Sequence, residues 1–170
     1  LYMFGLRDTS ISLPSEPWGM PAAGDLDGDG RIEVTFVDSS GKVWWPVRGT
    51  WGSVNVGFRP TAGPIVTYGG KGVEVVVGGD GKVALIRPGG EVKLREVEGR
   101  TLGIAFGKGL GLICATDEGL FSVGEGVRKL WSGRMEELSG PIVGDLDVDG
   151  REEVALAFGR KVFAFEVLQD

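Results

Sequence analysis

One acidic loop is written twice in this chain, and it constrains the fold more than any other feature. Residues 19–45 read GMPAAGDLDGDGRIEVTFVDSSGKVWW, and residues 139–165 read SGPIVGDLDVDGREEVALAFGRKVFAF. Each copy places an Asp-x-Asp-x-Asp-Gly loop between a short apolar run and a β-rich run. The duplication predicts a repeat fold, and the loop predicts a bound cation.

The first loop is Asp25, Asp27, Asp29, Gly30, Arg31 and Glu33; the second is Asp145, Asp147, Asp149, Gly150, Arg151 and Glu153. Carboxylates at positions 1, 3 and 5 can wrap one ion, and glycine at position 6 allows the sharp turn. Position 7 (Arg31, Arg151) offers a backbone carbonyl, and position 9 (Glu33, Glu153) a last carboxylate. Hard oxygen donors in that number suit Ca2+ better than Mg2+ or Zn2+, so about two Ca2+ per chain are expected. An EF-hand is excluded. Its position 12 needs an acid, where this chain has Phe36 and Leu156, and its flanking helices are replaced here by β-type runs. A metal-free Asp/Gly turn is the simpler reading, but it leaves four carboxylates crowded in nine residues, twice over.

Two further repeats lie between the acidic ones. Pro21, Pro64, Thr101 and Pro141 mark corresponding positions about 40 residues apart. Each repeat has a short apolar strand, a loop, a β-branched run (33–37, 73–77, 110–115, 153–158), a tight turn and a third strand (43–47, 83–86, 120–123, 162–167). Ser40-Gly41, Asp80-Gly81 and Glu118-Gly119 supply hairpin-type turns. A fourth, more polar strand closes the first three repeats (52–56, 91–97, 127–132). The middle repeats lack the acids and carry Lys71 and Lys108 in their place, so no metal is expected there.

Four short antiparallel strands in a unit of about 40 residues is the pattern of a β-propeller blade. The chain is therefore expected to be all-β: a single β-propeller domain over 1–170, with repeats at about 17–58, 59–97, 98–136 and 137–170. Residues 1–16 are read as closing strands. Four blades is the count, or five if the two chain ends build a composite blade. The chain begins at Leu1 rather than Met, which fits a processed protein or a segment of a longer one.

The segments Gly24-Asp-Leu-Asp-Gly-Asp-Gly-Arg-Ile-Glu33 and Gly144-Asp-Leu-Asp-Val-Asp-Gly-Arg-Glu-Glu153 resemble the FG-GAP/VCBS repeats of integrin-α-type β-propellers. They depart from that pattern in having Glu rather than Asp at position 9. The hairpins at 39–45 and 79–85 are also similar to those of quinoprotein-like propellers. The FG-GAP/VCBS resemblance implies structural calcium, an extracellular or cell-envelope location, and ligand binding through propeller loops.

Composition excludes several partners. The net charge is −6, and Lys and Arg never cluster beyond pairs such as Arg128-Lys129, which argues against nucleic acid or an anionic membrane. No apolar run reaches the length of a transmembrane helix. Cys114 is alone in an apolar run and reads as a core residue. Asn and Gln occur once each, which fits a thermophilic source. Trp18, Trp44, Trp45 and Trp51 cluster in the first repeat. They read as blade packing or as an aromatic platform for a carbohydrate or peptide. Trp44 and Trp45 face opposite ways, so one of them should be less buried.

The function expected is a non-catalytic binding or scaffold module with an unidentified protein or carbohydrate ligand. One rival is a propeller enzyme, a polysaccharide lyase, glycosidase or quinoprotein. The absence of His, and the assignment of most acids to the two loops, weigh against it. Another rival is half of an eight-bladed ring made by two chains, a homo-oligomer.

Overall fold

The computed structural model describes residues 12–69, 72–135, 138–158 and 160–167. Among them the chain is all-β, with thirteen strands and no helix. Much of the closing segment expected over 1–16 lies outside the described residues, as do Lys71 and its neighbour Gly70.

The first sheet runs in sequence order: β1 (Pro17–Gly24), β2 (Glu33–Asp38), β3 (Lys42–Val47) and β4 (Thr50–Asn55). The second holds β5 (Pro60–Gly69), β6 (Gly72–Ile86), β7 (Val92–Gly107), β8 (Gly111–Thr116), β9 (Gly119–Val123) and β10 (Val127–Ser132). The third holds β11 (Leu138–Gly144), β12 (Glu153–Phe158) and β13 (Lys161–Glu166). All pairings are antiparallel.

Separate four-stranded units are expected from the sequence, and the six-stranded second sheet differs from that for a physical reason. Both β6 and β7 span two of the expected strands. The first half of β6 pairs with β5, and its second half pairs with the start of β7. Val75, Val77, Ala84 and Ile86 share one core, while Val76, Val83 and Leu85 share another. A straight strand would put Val77 and Val83 on one face and Ala84 on the other. The observed parity inverts across Asp80-Gly81, where Gly81 takes φ 69°, as it does when a chain turns back at an Asp-Gly pair. Likewise, β7 pairs with β6 up to Arg100 and with β8 from Thr101 onward.

The sheets stack through three cores. Val37, Val43 and Trp45 of the first repeat pack on Val75, Val77, Ala84 and Ile86 of the second. Val76, Val83 and Leu85 pack on Leu112, Cys114, Phe121 and Val123 of the third. Ile113, Ala115 and Leu120 pack on Val154, Leu156 and Phe165 of the fourth. The second and third repeats thus each have a front, turned to the next repeat, and a back, turned to the one before. Alternation along β-branched and aromatic strands supplies both faces from one run.

The first strand of every repeat is bulged. Register shifts fall between Trp18 and Ala22, Ala62 and Ile65, Thr101 and Gly103, and Ser139 and Ile142. Such bulges bend the strand and re-aim the loop at its end. In repeats one and four that loop carries the acids.

Candidate metal centre

Both acidic loops connect the first strand of a repeat to its second, β1 to β2 and β11 to β12. Carboxylate oxygens of Asp25, Asp27 and Asp29 lie within 4.8 Å of one another. In the second loop the group within that distance is Asp145, Asp147 and Glu153, with Asp149 outside it. The loops are therefore alike in sequence and not identical in how they gather oxygens.

Amides of the loop itself hold both arrangements. Asp25 accepts from Gly28 at 2.7 Å on Oδ1 and from Gly30 at 3.0 Å on Oδ2. Asp27 Oδ1 accepts from Asp29 at 3.1 Å, and Asp29 Oδ1 from Arg31 at 2.9 Å. In the second loop Asp145 accepts from Asp149 and Gly150, both at 3.0 Å, Asp147 from Asp149 at 3.2 Å, and Asp149 from Arg151 at 2.9 Å. Glu33 and Glu153 play one part in both loops, accepting the amides of Leu26 (2.8 Å) and Leu146 (2.7 Å). Each ionised oxygen has about two lone-pair sites. One amide per oxygen thus leaves room for a cation beside these bonds, and the donor set fits a hard divalent ion.

The arginine side chains stay outside the oxygen clusters. Arg31 and Arg151 each lie 4.0 Å from the Asp at position 5, and Arg151 also donates to Glu166 at 2.7 Å. Backbone strain distinguishes the loops further. Position 4 has positive φ in both: 82° at Gly28 and 65° at Val148. A β-branched residue there is strained, and Val148 is 86% exposed, with little packing to offset the cost.

Three residues not singled out from the sequence tie these loops to the rest of the fold. The Tyr68 hydroxyl accepts the Asp25 amide at 3.0 Å, joining the second repeat to the first loop. Glu152, at position 8 of the second loop, reaches into the third repeat. It accepts the amides of Lys108 (2.9 Å), Gly109 (2.8 Å) and Leu110 (3.0 Å). The amide of Leu110 above all, then those of Gly109 and Lys108, outweigh desolvation and hold its carboxyl below the usual range. Position 8 of the first loop is Ile32, which is exposed, so aligning the loops gives no signal for this bond.

Asp38, the last residue of β2, is the third. Burial alone would raise its pKa. Donors from Ser40 Oγ and Trp44 Nε1 (3.0 Å), with the amides of Lys42 (3.1 Å) and Ser40 (2.9 Å), overcome this and bring it to about 2. That bond also answers the tryptophan question. Trp45 is buried in the core between the first two repeats, whereas Trp44 is half-buried and lies on the opposite face. Its indole N–H is spent on Asp38, and its ring stacks at 6.3 Å from Phe36, which meets Trp51 edge-on at 5.6 Å.

No family model and no curated protein matches this chain. Among solved structures it is similar to BBS1N in complex with ARL6DN, in crystals soaked with lead and with mercury. The lead-soaked structure aligns with a TM-score of 0.59 at 15% identity, over 82% of this chain and 48% of that one. For the mercury-soaked structure the TM-score is 0.58 at 17% identity, over 79% and 46%. This chain spans about half the length of the solved chains it matches. At such identities the likeness concerns fold alone. The fold is thus all-β, of stacked antiparallel sheets, and β-propeller-like.

Proposed function

We propose that this chain is a calcium-stabilised β-propeller of the FG-GAP/VCBS kind, acting as a non-catalytic binding or scaffold module. The observation that carries this reading is the pair of loops at the same place in two repeats, each gathering three carboxylates within 4.8 Å. Bound Ca2+ would pin the first strand of a blade to the second and offset the mutual repulsion of the acids. Residues 25, 27, 29, 31 and 33, and 145, 147, 149, 151 and 153, are the proposed ligands, with Arg31 and Arg151 contributing backbone carbonyls.

The parity of β6 and the division of β7 support a count of four blades. The six-stranded sheet reads as two four-stranded blades, giving four blades in all, the last with three strands among the described residues. The ligand class proposed is a protein or carbohydrate, bound outside the membrane in an extracellular or envelope setting. A protein ligand has the added support that BBS1N is held in a complex with ARL6DN.

Calorimetric titration of chelator-stripped protein with Ca2+ tests this. Two ions per chain are expected, and Asp27→Ala and Asp147→Ala should each abolish one. Saturation at a hundredfold excess over Kd stabilises the fold by about 2.7 kcal/mol per site. No heat and no shift in melting temperature at millimolar Ca2+ would reduce the loops to turns held by their own amides.

A further inference from the structure

Between the second and third repeats the packing opens into a cleft of about 450 Å3, at the end of the sheets where the acidic loops also lie. Its floor is apolar. Leu85 comes from the front of the second repeat, Leu112 and Val123 from the back of the third, and all three belong to the core between them. Phe106, 36% exposed, adds an aromatic wall. Glycines keep the cleft open: a Cβ on Gly72, Gly111 or Gly124 would meet nothing within 4 Å.

The opposite wall is charged. Strand alternation puts Leu85 and Arg87 on one face of β6 and Lys93 and Arg95 on the same face of β7, with Lys93 opposite Leu85. Three lining cations, Arg87, Lys93 and Arg95, stand against two lining acids, Glu74 and Glu125, an excess of one positive charge in a chain of net charge −6. Two of the cations are already paired. Arg87 lies 3.3 Å from Glu74 and 3.1 Å from Glu91, and Lys93 lies 3.3 Å from Glu91. Arg87 Nη2 is buried without an acceptor, which leaves one donor of that wall unspent. Arg95 differs. Its Nε donates to the Gly124 carbonyl at 2.9 Å and its Nη1 to the Leu94 carbonyl at 3.1 Å, and it has no carboxylate partner among the described residues. The bond to Gly124 crosses from the second repeat to the third and fixes the guanidinium at the cleft.

We propose that this cleft binds a segment of a partner protein in which an apolar side chain neighbours a carboxylate. The apolar side chain lies on Leu85, Leu112 and Val123 beside Phe106, and the carboxylate pairs with Arg95. The volume and the apolar lining with a few placed polar groups match those of ligand sites, and an anion answers the one unpaired guanidinium. A sugar ring would want an aromatic platform with a polar handle, and no tryptophan is among the described residues of this lining. The inference rests on the binding-module reading, whose partner class it names, and not on calcium.

Amide NMR spectra of the protein titrated with acetyl-Leu-Glu-amide, with and without Ca2+, test it. Saturable shifts at Gly72, Gly111 and Gly124 are expected in both conditions. Acetyl-Leu-Gln-amide should bind about tenfold more weakly, through loss of one charge-assisted bond. Arg95→Gln should bring the two probes to equal affinity. Gly124→Leu should block both, because Gly124 is not left-handed and its new side chain meets no atom of the fold at Cβ. The proposal is overturned by an absence of shifts at millimolar probe, or by equal affinity of the two probes for the unaltered protein. A preference that survives Arg95→Gln, or binding that survives Gly124→Leu, does the same. Calcium titration reads the metal separately: two ions bound without peptide shifts would sink this inference alone, and peptide shifts without bound ions would sink the calcium reading alone.

Discussion

The Glu152 carboxylate accepts the Gly109 amide at 2.8 Å, across the boundary between the third and fourth repeats. The same side chain takes the amides of Lys108 and Leu110. Three successive donors converge on one charge, the arrangement by which turns bind anions. A loop read from sequence as a metal site is therefore also a clasp. Glu152→Ala should destabilise the fold by about 1–2 kcal/mol, since charge-assisted bonds are the stronger class and these are partly solvated. Urea denaturation measures this, with Ile32→Ala at the matching place of the first loop as a control of small effect. Equal losses for the two variants would mean that the clasp contributes nothing.

Asp38 makes stability depend on acid. Its folded pKa, about 2, lies below the ordinary 3.8, so the ionised form favours the folded state. That contribution is complete above about pH 4 and disappears as pH falls from about 4 to about 2. The group is 6% exposed, and the shift corresponds to about 2 kcal/mol. Asp38→Asn should lower stability near neutral pH by that order and flatten the acid limb between pH 4 and 2. Thermal melts across that range decide it; an unchanged limb would assign the acid sensitivity to other carboxylates.

Val148 holds a left-handed conformation that its counterpart Gly28 adopts freely. The strain costs about 1–3 kcal/mol, and glycine returns about 0.5–1 kcal/mol of that as chain entropy. Val148→Gly should therefore raise stability by about 1 kcal/mol, seen as a higher denaturant midpoint with an unchanged slope. A lower midpoint would show that the valine makes contacts worth more than its strain.

Cys114 is fully buried, with Sγ 3.7 Å from the Thr101 hydroxyl. Burial pushes its thiol up to about 12, against a smaller opposing effect of that contact. The thiolate is the reactive form, so iodoacetamide should leave the folded protein unlabelled at neutral pH and modify it only on unfolding. Rapid labelling of native protein would place the thiol at an opening in the core between the second and third repeats.

Much of the strand pattern is legible in the sequence because β-branched runs alternate with Gly-containing turns at a regular spacing. The run Val73–Val77, the turn at Asp80-Gly81 and the run Val83–Ile86 all fall within β6. The sequence does not show that β6 and β7 run on through two strands each, because bulges and bends leave no sharp composition break. The carboxylate positions are legible too, since chelation needs a fixed spacing along the loop. Which oxygens approach one another is not. Asp29 joins its cluster, while in the second loop the third oxygen comes from Glu153 rather than Asp149.

What the sequence determined by itself is local: strands, turns, and acids spaced along a loop, all consequences of side-chain alternation and backbone preference over a few residues. What only the tertiary structure decided is which faces meet. Trp44 and Trp45 are adjacent and chemically alike, yet one is core and the other lies over Phe36 on the opposite face. Val43 and Val162 occupy the same place in their repeats, and one is buried while the other is 74% exposed. Burial depends on the sheet that lies opposite, and that neighbour is set by segments far away along the chain.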